Sequence, residues 1–134
     1  MNKEIKKYLE IQDIALDVLQ EIKGYIVAGV TEKDIAIQCD KLLKKAGMVD
    51  CWYHGVTALV LVGQRTTLSV SGRNYQATDV IVKDYDLVTI DLSPKRDDYW
   101  GDCARSYAVE SGKVTDNPNS LELLNGFGCG KTFT

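Results

Sequence analysis

Asp86-Leu87-Val88-Thr89-Ile90-Asp91-Leu92-Ser93-Pro94, then Lys95-Arg96-Asp97-Asp98, then Tyr99-Trp100-Gly101-Asp102-Cys103-Ala104-Arg105-Ser106-Tyr107, is the stretch on which the fold turns. Its first run is apolar and rich in β-branched residues, the composition of a strand buried on both faces, and Ser93 and Pro94 end it. Residues 99–109 read as the next strand, with residues 95–98 as a polar connection. If the two strands pair antiparallel, Asp91 and Asp102 fall nearly opposite each other. A carboxylate in apolar surroundings is costly unless it is paired or bound to a cation. Two that converge are what a hard or borderline divalent cation takes as ligands. On spacing alone a plainer alternative stands beside this, with Asp91 as a strand-end cap and Asp102 paired to Arg105.

Upstream, Ile5, Leu9, Ile11, Ile14, Ala15, Val18, Leu19, Ile22 and Ile26 recur at helical spacing, which predicts one amphipathic helix over residues 3–27, broken by Gly29. Thr31 is a good N-cap for a second helix, and Asp34 three residues on completes a capping-box pattern. The apolar side of this helix carries Ile35, Ile37, Cys39, Leu42, Leu43 and Ala46, and Gly47 suits its C-terminal end. Residues 56–62 form an apolar strand closed by Gly63. A polar stretch over residues 64–78 follows, with a short strand expected at 68–70 and a loop at 71–75. Residues 110–113 read as a turn and residues 120–124 as a short helical start. Two helices followed by strands, without βαβ alternation, predict an α+β fold: two N-terminal helices packed on one face of a mostly antiparallel sheet.

The 134 residues fit one domain, and 45% apolar with 26% charged residues is a globular composition. A net charge of −3 and a pI near 5.1 argue against nucleic acid or an anionic membrane as partner. No window approaches the roughly 18 apolar residues of a membrane span, and no signal-peptide pattern opens the chain, so a cytoplasmic location is expected. Cys39, Cys51, Cys103 and Cys129 form no CxxC pair and read as reduced, mostly structural residues.

The two-aspartate stretch resembles the metal-binding core of the creatinase/aminopeptidase superfamily, the pita-bread metallopeptidases, and most nearly its Xaa-Pro aminopeptidase type. Asp91 and Asp102 match the first two metal ligands in identity and spacing, and Arg105 matches the arginine of the family's Asp-x-x-Arg, a supporting residue behind the ligands. The resemblance implies the N-terminal half of a pita-bread domain over residues 1–125, followed by a divergent glycine-rich tail over 126–134. It implies two divalent ions (Mn, Co or Zn) in the complete fold, a peptide substrate, and hydrolysis of an N-terminal residue, including one that precedes proline. The family's site resembles two aspartates plus one histidine and two glutamates, and the last three have no counterpart here. No catalytic set is therefore complete, and the expectation is a truncated, inactive chain that binds metal weakly or not at all. The non-catalytic alternative is a half-domain that binds or self-associates through the face its missing half would cover.

The family's substrate-contacting histidine falls at Ser71, or at Ser69 or Gly72 if the gap is placed differently. His54, the one histidine, matches no family metal ligand, and Glu110 and Glu122 are placed wrongly to substitute. Trp52, Tyr53, His54 and Trp100 either line a substrate pocket or pack at the strand ends. Asn125-Gly-Phe-Gly-Cys-Gly-Lys-Thr132 superficially resembles a phosphate-binding loop. It lacks the first glycine, a preceding strand and a following helix.

Overall fold

The structure is a computed structural model and describes residues 3–68 and 70–118. The second helix forms as the caps predict. In α2 (Glu32–Lys45) the Asp34 amide donates to Thr31 Oγ1 and the Thr31 amide to Asp34 Oδ2, both at 3.0 Å. At the other end Gly47 takes φ +90°, Gly47 N donates to Lys44 O and Met48 N to Leu43 O, which satisfies the last carbonyls. The first helix is shorter than its periodicity predicts. The chain forms α1 (Lys3–Glu21) and then tightens into a 3-10 turn at Ile22–Gly24. Leu19 O, one of the carbonyls left open at the helix end, accepts the Tyr107 hydroxyl at 2.6 Å instead. Ile22 and Ile26 are buried all the same.

Strands β2 (Ala58–Val62), β3 (Asp86–Leu92), β6 (Cys103–Glu110) and β7 (Lys113–Thr115) make an antiparallel sheet in the order β2-β3-β6-β7. A smaller antiparallel sheet, β1-β4-β5, is built from β1 (Asp50–Cys51), β4 (Pro94–Arg96) and β5 (Tyr99–Trp100). Both helices lie on one face of the main sheet. There Ile11, Ala15, Val18, Leu19, Ile35, Cys39 and Leu43 pack on Val60, Val62, Val88, Ile90, Leu92, Tyr107 and Val109.

Several expectations need correction. Residues 95–98 are not a simple connection, because Pro94–Arg96 pairs with Tyr99–Trp100 as a hairpin turned at Asp97, whose φ is +57°. The strand expected over 99–109 is interrupted at Gly101 and Asp102. Nor is β3 buried on both faces: along it Asp86, Leu87, Val88, Ile90 and Leu92 are buried, Thr89 is half-buried and Asp91 is exposed. No strand forms at Leu68 or Val70. A 3-10 turn at Gly63–Thr67 stands just upstream. The turn at 110–113 leads into β7, whose three residues carried no strand signal strong enough to read. The short helical start at 120–124 and the tail from 126 lie outside the described residues.

The two sheet edges are closed differently. At β2, the Tyr75 hydroxyl accepts from Val60 N at 3.1 Å and donates to Val60 O at 2.9 Å, while Glu32 Oε2 accepts from Val62 N at 3.0 Å. At β7, Val27 bridges to Lys113 and Ala28 N donates to Gly112 O. Among the described residues no helix is long and apolar enough to cross a membrane.

Candidate functional site

Register decides which side chains share a face. Asp91 pairs with Ala104 and Leu92 with Cys103, so Asp102 lies diagonally across from Asp91, two residues along, and not directly opposite it. Residues two apart on a strand point the same way, and diagonal neighbours remain within side-chain reach. Asp91 and Asp102 therefore project from the face opposite the helices, and both line one cavity. Both residues are exposed. The Asp91 carboxyl is pushed up to about 6, first by lost hydration, then by the hydrogen bond to Asp102 and by the charge of Asp102. Such a shift belongs to the pair, since two neighbouring carboxyl groups do not titrate independently.

The pair opens into a cavity of about 310 Å³ lined by Trp52, Tyr53, Val56, Leu59, Val70, Asp91, Ser93 and Asp102. An aromatic row leads into it. Tyr99 packs on Tyr8, Tyr8 on Trp100, Trp100 on Trp52, Trp52 on Tyr53 and Tyr53 on His54, with ring centroids 4.8–5.9 Å apart. Gly72 sits directly over the Tyr53 ring, with no room for a Cβ, and its amide donates to the Tyr53 hydroxyl at 3.0 Å.

The structure separates the residues singled out from sequence. Asp91 and Asp102 come together. Trp100 and His54 do not line the cavity; each stacks on an aromatic residue that does. Ser71 is exposed and its hydroxyl accepts from Arg73 N at 3.1 Å within its own turn. Its neighbour Val70 lines the cavity instead. Arg105 pairs with Ile90 and so faces the helix side, near Cys103 and Tyr107, away from the two aspartates. The Asp102–Arg105 ion pair is not among those the described residues form. Val56, Leu59, Val70 and Ser93 were missed as lining residues, although strand alternation from Asp91 would have put Leu59, its direct partner, on the same face.

Two facing carboxylates fit the carboxylate part of a divalent-cation site. They do not make a whole one, since no group of three or more His, Cys, Asp or Glu side chains able to hold a metal occurs among the described residues. Cys39, Cys51 and Cys103 are free, and burial raises each thiol, that of Cys39 to about 12, so none offers a thiolate at neutral pH.

Comparison with known proteins gives this geometry its context. The chain is 30% identical over 110 residues to a methionine aminopeptidase of Haemophilus influenzae, a match covering 80% of this chain and 40% of that protein. Among solved structures it is similar to an X-Pro aminopeptidase from Thermotoga maritima, with a TM-score of 0.68 and 26% identity over 84% of this chain and 29% of that one. It is similar also to an Xaa-Pro dipeptidase from Bacillus anthracis, with a TM-score of 0.70 and 25% identity over 87% and 30%. Two helices on an antiparallel sheet are thus half of a pita-bread domain, and the chain spans about 40% of the methionine aminopeptidase it matches. The model of metallopeptidase family M24 matches residues 6–125, nearly all of the sequence, and the chain belongs to that family.

Proposed function

We propose that Asp91 and Asp102 are the carboxylate ligands of a pair of divalent cations, and that this half-domain belongs to the chemistry of releasing N-terminal residues from peptides, including residues that precede proline. The observation that carries the reading is the register that brings both carboxyl groups to one face of the sheet, where they line one cavity. Two like charges side by side are unfavourable alone, and a cation removes the repulsion. Divalent ions so held supply the charge that polarises a peptide carbonyl and acidifies water. This chain contributes the two aspartates and, beside them in the same cavity, an apolar wall from Trp52, Tyr53, Val56, Leu59 and Val70. Arg105 lies on the far face of β6 and forms no ion pair with either aspartate.

With two carboxylates and no imidazole the chain holds cations weakly, in the millimolar range, and does not turn over peptides unaided. The family name and the aminopeptidase and dipeptidase relatives support the peptide reading. Calorimetric titration with Mn²⁺ and Co²⁺, beside an assay on short peptides with and without proline in second position, tests it. Millimolar binding abolished by Asp91→Asn and by Asp102→Asn is expected. Undiminished binding in both variants would overturn the assignment.

A second reading, a non-catalytic module that pairs with another copy, draws on exposed apolar residues: Trp52 and Trp100 in the aromatic row by the cavity, and Ile5, Leu9 and Val49 elsewhere on the surface. Light scattering over a wide concentration range decides it, and a stable monomer at high micromolar concentration would rule it out.

A further inference from the structure

We infer that Gln12, on α1, is a positioning residue that fixes the Asp102 peptide and so holds the Asp102 carboxyl against that of Asp91; the inference rests on the reading of this pair as cation ligands. The β3–β6 ladder ends at Leu92 and Cys103. The next position on β3's side, Ser93, directs its backbone to the β2 side: its amide donates to Thr57 O at 3.0 Å and its carbonyl accepts from Trp52 N at 3.3 Å. The backbone groups of Asp102 alternate with those of Cys103 and so face away from β3, on the side where β7 has already ended at Thr115, opposite Ala108; they have no strand partner where the side chain has to be aimed.

Gln12 supplies that partner. Its Nε2 donates to Asp102 O at 2.9 Å and its Oε1 accepts from Asp102 N at 3.2 Å. A primary carboxamide offers a donor and an acceptor in one plane, as a neighbouring strand would. The preceding residue is clamped as well. Gly101 N donates to Pro94 O at 2.9 Å, and Gly101 O accepts the Trp52 indole Nε1–H at 2.7 Å. A Cβ at Gly101 would stand 2.9 Å from Ile11 Cγ2 and 3.2 Å from Gln12 Oε1, so α1 approaches the strand break as closely as glycine alone permits. The helix thus sets the backbone at residues 101 and 102, and the backbone sets where the carboxylate points.

Gln12→Met keeps the chain length and the helix propensity but loses both bonds. Tyr107→Phe, which loses the bond to Leu19 O, is the control for destabilisation without a change at residue 102. The full chain and both variants are compared by calorimetry with Mn²⁺ and by amide hydrogen exchange. In Gln12→Met the Asp102 amide should exchange faster and Mn²⁺ affinity should fall about tenfold or more, as for other residues that orient a ligand. Tyr107→Phe should melt earlier with its Mn²⁺ affinity unchanged. Equal Mn²⁺ affinity in Gln12→Met and wild type overturns the role of Gln12 alone, as does weaker binding with Asp102 exchange unaltered. Wild-type chain that binds no Mn²⁺ in the millimolar range overturns the ligand reading itself, and the inference with it.

Discussion

Glu32 and the Asp91–Asp102 pair are opposite solutions for an acidic side chain in one small fold. Glu32 has no exposed surface, yet each of its oxygens is occupied. Val62 N and Arg65 Nε reach Oε2, while Thr78 N, Thr78 Oγ1 and Arg65 Nε reach Oε1, all at 2.9–3.2 Å. It also opens α2, where a negative charge meets the positive end of the helix dipole. Asp91 and Asp102 are exposed, and what faces their carboxyl groups is each other. A carboxylate supplied internally with donors holds structure together, whereas two carboxylates turned on one another create a demand that a cation can meet. Burial is therefore the wrong index of function here, and the supply of donors is the right one.

The largest effect that would sharpen this contrast is on stability. Glu32→Ala leaves Arg65, Val62 N and Thr78 without their shared acceptor and should cost about 3–5 kcal/mol, as for other broken buried ion pairs. Urea unfolding reads it, and a loss below about 1 kcal/mol would break the comparison. The reverse is expected across the sheet. Asp102→Asn should leave stability unchanged or raised at neutral pH, while Mn²⁺ affinity falls at least about tenfold, or 1.4 kcal/mol. Tyr75→Phe removes the partner of Val60 N and O at the β2 edge and should cost about 1 kcal/mol, with metal binding untouched.

The smallest effect is a pH dependence. Because the folded pair holds its proton up to about 6, against about 4 for an unfolded aspartate, the folded state binds more protons between those values. Stability of the metal-free chain should then fall as pH rises through that window, by no more than about 1 kcal/mol, since the groups are solvent-screened. Asp91→Asn should flatten the slope. Mn²⁺ affinity should climb over the same interval, because the cation competes with the proton. A metal-free chain whose stability rises from about pH 4 to pH 6 in step with Asp91 would contradict the pairing.

Much of this site was legible in the sequence because it depends on local spacing. The apolar run ending in Ile90-Asp91 and the recurrence of Asp at 102 were sufficient to place two carboxylates on one face. Their partners were less legible. Arg105 was read behind the ligands from its place in the motif, whereas strand alternation already separates it from Asp102: residues three apart on one strand point to opposite faces. Gln12 carries no signal of its own in the sequence, since its partner lies 90 residues away and only the tertiary fold joins them. Glu32 was likewise hidden, as its role depends on a loop around Arg65 and Thr78 with no periodicity to read. The helix over residues 3–27 was overdrawn because Ile22 and Ile26 keep the apolar spacing even though the backbone has already tightened.

The treatment of the sheet borders constrains how the protein can meet others. On one side the Tyr75 hydroxyl and the Glu32 carboxylate occupy backbone groups of β2 that an incoming strand would need; on the other, residues 27 and 28 cover β7. Strand-by-strand extension, the route by which unprotected sheets recruit foreign chains or grow into fibrils, is obstructed from both directions. Whatever docks at the four-stranded sheet must do so through side chains on a surface, not by continuing the weave.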